Sequence, residues 1–198
     1  MVWTRWWAAA IGGLAMTTGV AACAGSGDAT ESDLGSSGDS QMLTSGPASG
    51  SLAGYDSDEV AAYDEAVAAL NRNLRVGLAV YREGLATPAA YRELSSVYAG
   101  DELADEWENL RNMDAANGYL DGSASVVWTK PVRILVSDEG GTVDLKACID
   151  RSQMQAYTHD GGEIGNDAAF KRAVFTVTID LGEGDTWRVS GGEESGTC

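Results

Sequence analysis

The feature that most constrains this chain is a change of hydrophobic period along it. Apolar or aromatic residues first return every three or four positions, at Val60, Tyr63, Val67, Leu70, Leu74, Leu78, Tyr81 and Leu85. That spacing places them on one stripe of a single helix of about seven turns. Later in the chain the period is two. Val132, Ile134 and Val136 alternate with other residues up to the turn Asp138-Glu139-Gly140-Gly141, and Val143, Leu145, Ala147 and Ile149 alternate with Thr142, Asp144, Lys146, Cys148 and Asp150. Ala173, Phe175, Val177, Ile179 and Leu181 repeat the pattern, and Gly182-Glu183-Gly184-Asp185 turns the chain toward Trp187 and Val189. Such segments predict strands with one buried face, joined by hairpin turns. Helices gathered ahead of an antiparallel sheet predict an α+β domain whose helices cover one sheet face.

The boundaries follow from capping chemistry. Asp56 with Glu59 three residues on fits a reciprocal capping box at the start of the long helix. Thr87-Pro88 opens a second helix with proline at its first position, Tyr91, Leu94 and Tyr98 on its inner face and Gly100 at its end. Asp101 is expected to cap a third helix carrying Leu103, Trp107 and Leu110, stopped by Asn117-Gly118. An additional strand is expected near residues 123 to 129. Residues 151 to 167, with His159-Asp160-Gly161-Gly162, read as a long loop.

The first residues follow a different logic. One positive side chain, Arg5, precedes a small, apolar, uncharged stretch that closes on Cys23. This stretch is too short and too glycine-softened for a good membrane-spanning helix. Val20-Ala21-Ala22-Cys23 reads as a lipobox: an aliphatic residue, two small residues that let a peptidase approach the backbone, then a thiol to take a diacylglycerol. Residues 1 to 22 are therefore expected to be a lipoprotein signal peptide and Cys23 the site of lipid attachment. Two acyl chains at ~0.8 kcal/mol per buried methylene would hold the protein stably at a membrane. Residues 23 to 54 are Gly, Ser, Ala and acids without apolar period, and read as a disordered tether with a span of roughly 30 Å. Residues 55 to 198 are expected to form the single folded domain. The predicted location is the cell membrane, lipid-anchored and facing the extracytoplasmic side.

Charge narrows the partners. The chain has 30 acidic against 13 basic residues, a formal charge of -17. A surface of that sign repels phosphate backbones and anionic headgroups, so nucleic acid is excluded as a partner. Of three cysteines, lipidation of Cys23 leaves Cys148 and Cys198 as an even pair in an oxidising compartment. A disulfide between them is expected to stabilise the fold by roughly 4 kcal/mol in the chain-entropy view. A metal site using both thiols and His159 is the alternative, but it lacks a closely spaced ligand pair.

The order of elements resembles the NTF2-like superfamily, in which a curved antiparallel sheet wraps a long first helix. The Ala147-Cys148-Ile149-Asp150 strand end, Arg172, Trp187-Arg188-Val189 and the closing Gly196-Thr197-Cys198 are similar to secreted actinobacterial lipoproteins of that superfamily. The resemblance spans about residues 55 to 198 and implies a cone of three helices packed on the sheet. It does not by itself choose among enzymes, ligand binders and adaptors.

Enzymes of this superfamily work inside the cone with an Asp or His base and a Tyr or acid that stabilises an enolate. The face that carries Val143, Leu145, Ala147, Ile149, Phe175, Val177 and Ile179 offers neither carboxylate nor imidazole, while Asp144, Asp150 and Asp180 point away. No nucleophile elbow, phosphate-binding loop or metal-ligand spacing is present. No catalytic residue, metal or cofactor is therefore assigned. The expected function is a non-catalytic cell-envelope adaptor that binds a protein partner, or a second copy of itself, across the outer sheet face. One alternative is a binder of a small apolar ligand, with Tyr63, Tyr81, Trp107 and Trp128 lining the cone. Others are an isomerase-like enzyme using Tyr157, His159 or Asp121, and a lipoprotein that excludes rival phages.

Overall fold

The computed structural model describes residues 48–49, 51–164, 171–182 and 184–198. The expected signal peptide, the expected lipobox residues Val20, Ala21 and Ala22, and Cys23 lie outside the described residues. Helix α1, Ser57–Glu83, begins at the expected capping box: an Asp56 side-chain oxygen accepts from the backbone N–H of Asp58 and Glu59, and Glu59 Oε2 accepts from the Asp56 N–H at 2.9 Å. It ends at Gly84, whose φ of 67° is left-handed. Any side chain there would collide with the carbonyl oxygen of Gly118, so this glycine lets the helix end lie directly on the following sheet. Leu85, expected on the apolar stripe, falls beyond this stop and is exposed.

Helix α2, Pro88–Ser95, starts as expected, with the Thr87 hydroxyl accepting from the Ala90 N–H. Gly100 does not end it. Instead, Gly100 opens helix α3, Gly100–Ala115, whose N-cap residue Ala99 makes no side-chain cap bond. Asp101 sits inside the first turn, where its charge faces the positive end of the helix dipole without capping it.

The main sheet has five strands in the order β1-β3-β4-β7-β8. These are β1 (Ala48–Ser49), β3 (Ser125–Ser137), β4 (Gly140–Asp150), β7 (Ala173–Gly182) and β8 (Thr186–Gly196). All neighbours are antiparallel except the two-residue β1, which pairs parallel with Trp128 and Thr129. The expected early strand and the Val132–Val136 strand are one continuous β3 that runs through Pro131. Proline lacks the N–H a central strand needs, and beyond Thr129 no described strand pairs with this edge of β3.

A second sheet, β2-β5-β6, is built from β2 (Gly118–Asp121), β5 (Gln155–Thr158) and β6 (Glu163–Ile164). Residues 155–158 and 163–164 of the expected long loop are therefore strand, and 159–162 form the turn between them. Segments of two to four residues are too short to display a period, so alternation could not reveal them.

The helices cover the face of the main sheet that carries Val143, Leu145, Ala147, Ile149, Phe175, Val177 and Ile179, all fully buried. Tyr63 is buried on α1 and shares a 2.6 Å hydrogen bond with Thr129 of β3. Trp187 Nε1 donates to Glu65 at 2.7 Å, and Arg72 donates to the Trp187 carbonyl at 2.8 Å. Together these bonds tie α1 to both sides of the sheet. Cys148 lies on the opposite, polar-patterned face, yet it is buried and forms the disulfide with Cys198, with Cα atoms 6.0 Å apart. The described domain is thus α+β, three helices on antiparallel sheets. Among the described residues, no helix is long and apolar enough to cross a membrane.

Candidate protein-docking site

The far end of the β3–β4 hairpin breaks the burial pattern. Its register is Ile134↔Val143, Leu135↔Thr142, Val136↔Gly141 and Ser137↔Gly140, with a shift between Pro131 and Arg133 that leaves Val132 as an extra, bulged residue. The bulge moves Val132 off the inner row, and Val136, opposite Gly141 near the turn, is exposed although it shares the face of Ile134, so of the three expected inward residues only Ile134 is buried. Val132, Leu135 and Val136 are 51%, 53% and 44% exposed. Leu135 and Val136 point to opposite faces of a pleated strand, so exposure of both shows that this end projects past the cover of the helices.

A groove runs along each side of the projection. One, of about 400 Å³, lies between Ile134–Asp138 of the hairpin and Asp56, Asp58 and Glu59 at the start of α1. The other, of about 310 Å³, is lined by Leu135 to Ser137 and Glu139 to Thr142. Both have apolar flanks and acidic ends. The basic residues of β3 are engaged elsewhere: Arg133 Nε donates to Asp144 at 2.8 Å, and the Lys130 ammonium stands 5.2 Å over the Trp128 ring. Pro131, the adjacent lysine and the bulge are features that discourage another strand from adding to an open edge. Addition of a further strand to this edge is therefore disfavoured.

The residues considered for isomerase chemistry do meet, but on the small sheet. Tyr119 pairs across strands with Tyr157, and Asp121 with Gln155. The Tyr119 ring stacks on Tyr157 at 5.7 Å and on His159 at 5.0 Å. The Tyr157 hydroxyl donates to Gln155 at 3.0 Å, and Asp121 accepts from the Gly122 N–H at 2.7 Å. Leu120 and Ala156 take the buried face, so this aromatic ladder turns to solvent, with His159 and Asp121 exposed. Among the described residues, nothing encloses it against water.

The four rings considered for an apolar ligand do not converge. Tyr63 and Tyr81 stand about 27 Å apart along α1. Trp107 packs edge-on against Tyr91 at 5.2 Å, and Trp128 lies under Lys130. None of them lines either hairpin groove.

The polar feature that sequence patterning missed is inside. The buried stripe of α3 is Glu102, Glu106, Asn109 and Met113, together with Leu110, whereas Leu103 and Trp107 are only partly buried. The helix is turned so that two acids face the core. The buried Tyr81 hydroxyl donates to Glu106 Oε2 at 2.7 Å. Burial holds Glu106 well above the usual carboxyl range, against the pull of that hydrogen bond. Burial, aided by Asp105, raises Glu102 to about 7, while a hydrogen bond from Gly192 of β8 acts in the opposite direction. The spacing of four between Glu102 and Glu106 was a visible signal, but an exposed acidic stripe has the same spacing.

No protein-family profile matches the chain. No curated protein matches it either. Among solved structures it is similar to the intermembrane space region of the chloroplast protein ARC6, at 10% identity and a TM-score of 0.40, covering 72% of this chain and 100% of that one. It is also similar to the periplasmic domain of DotI, at 13% identity and a TM-score of 0.41, covering 72% and 97%. A de novo designed β-sheet protein matches at 15% identity and a TM-score of 0.30, covering 67% and 91%. Likeness at this level assigns no function.

Proposed function

We propose that this protein is a lipid-anchored adaptor of the cell envelope, an NTF2-like domain on an acidic tether that binds a protein partner without transforming a substrate. The observation that carries the reading is the projecting hairpin end with Val132, Leu135 and Val136 exposed. These side chains are about half exposed, so covering them would recover only part of the roughly 1.5–3 kcal/mol that full burial of each provides, and together they give a partner an apolar foothold. The lipobox at Val20, Ala21, Ala22 and Cys23 supports membrane attachment. Release of the protein into the medium or soluble fraction by Cys23→Ala tests that part.

The adaptor reading is tested by native mass spectrometry of the protein gently solubilised from its own membranes. A complex heavier by a whole protein is the expected result. A bare lipidated monomer, or one carrying only a small adduct, overturns it.

A further inference from the structure

Resting on the adaptor reading, we propose that the hairpin end takes a basic partner segment: apolar side chains that straddle the projecting strand at Leu135 and Val136, flanked by Lys or Arg side chains. Acidic side chains surround the exposed apolar residues. Asp138 and Glu139 form the turn itself, and Asp56, Asp58 and Glu59 border the groove on the α1 side. The N-terminus of α1 offsets only about half an elementary charge of that set. The nearest bases on the strand, Lys130 and Arg133, are held against Trp128 and Asp144.

Apolar contact sets where a partner sits, and the acidic rim sets which partner is admitted. A second copy of this chain, itself at -17, would bring acids against acids. The same holds for its own acidic residues 23 to 54, and for an anionic membrane surface. A cationic segment with one or two aliphatic or aromatic side chains satisfies both halves of the site. Such a segment gains attraction over about a Debye length, roughly 10 Å at 0.1 M salt.

The test uses the full chain and a defined probe, a synthetic peptide of alternating Leu and Lys blocks. Its counterpart with Glu for Lys and vesicles of phosphatidylglycerol serve as rivals. The Leu-Lys peptide is expected to bind, with backbone NMR shifts confined to residues 132 to 142 and the first turn of α1. The charge-neutral pair Leu135→Ser and Val136→Ser should weaken it by about tenfold, as removal of a central anchor does. Asp138→Asn with Glu139→Gln should weaken it several-fold and flatten its salt dependence. Equal binding to the serine variant would reduce the contact to general attraction by an acidic surface and overturn the proposal. Preference for the Glu peptide or for the vesicles would overturn it as well.

Failure here is separable from failure of the adaptor reading. A native complex that cross-links from position 135 but ignores salt and the Asp138/Glu139 changes leaves an adaptor whose partner is not basic. Absence of any protein complex removes the adaptor itself.

Discussion

The α1–α3 interface and the β3–β4 hairpin end invert one another. In the first, carboxyl groups occupy the positions where aliphatic residues usually sit: Glu102 and Glu106 are 5% and 1% exposed. In the second, Val132, Leu135 and Val136 occupy positions where charges usually sit. The buried acids are tolerated because α3 meets partners, the Tyr81 hydroxyl on one side and the Gly192 N–H on the other, and because burial keeps them near neutrality. The exposed aliphatics have no such internal compensation. The first region therefore ties stability to pH, while the second contributes little to stability and is available for contact.

The largest expected effect tests whether the two regions belong to one cooperative unit. Cys198→Ser opens a loop of 50 positions and should cost about 4 kcal/mol. Urea unfolding followed by tryptophan fluorescence and by far-UV circular dichroism should shift as one transition; separate transitions would break the comparison into two independent parts.

Next comes pH. Glu102 is raised from 4.5 to about 7, so the folded state holds a proton that the unfolded chain has lost. Stability is then full below pH 4.5 and falls as pH rises through 7, by on the order of 3 kcal/mol. Asp105 on the same helix adds repulsion, and Tyr81 and Gly192 face the acids from α1 and β8. Asp150, lowered to about 2 by Ser152 and Arg172, acts only below pH 4 and leaves this window untouched. Glu102→Gln should remove part of the slope between pH 4.5 and 7 in chemical denaturation, leaving the part due to Glu106, and an unchanged slope would place its origin elsewhere.

Tyr81→Phe removes the donor to Glu106 and should cost about 2 kcal/mol at pH 5, the usual range for a buried group left without its partner. A loss under 0.5 kcal/mol, on the scale of an ordinary surface change, would show that the Tyr81–Glu106 bond adds nothing net. The smallest effect belongs to the other region. Val136→Ser should change stability by no more than about 0.5 kcal/mol. A loss of 2 kcal/mol or more on thermal unfolding would mean that this end packs on the domain and is not held for a partner.

Sequence patterning captured the parts where period and caps agree. Helix α1 and its Asp56–Glu59 box, the Thr87 start of α2, the alternation of β4 and β7 and the Cys148–Cys198 pair could all be read from residue order. The failures share physical causes. The strands of the small sheet are shorter than one readable period. The strand expected near residues 123 to 129 and the one at Val132–Val136 are joined because Pro131 sits at an edge, which only the assembled sheet defines. The bulge took Val132 off the inner row that Ile134 keeps. In α3, Leu103, Trp107 and Leu110 suggested one buried face; Leu110 is buried as expected, but Leu103 and Trp107 are only partly covered, and Glu102 and Glu106, paired with Gly192 and Tyr81, share the buried stripe. Both regions of the comparison lay in these failures, since each depends on which neighbours tertiary packing supplies.

The bond between Trp187 and Glu65 joins residues 122 positions apart, and that between Tyr63 and Thr129 spans 66. Contacts of such range carry a loop-closure cost before they return any stabilisation, and domains dominated by them fold in milliseconds to seconds. Helix α1 therefore waits for β8 before its sheet-facing side is satisfied. The β3–β4 hairpin, whose strands are linked by a short turn, needs no such wait. In the time course of folding, the element that reaches furthest from the core is expected to take shape ahead of it.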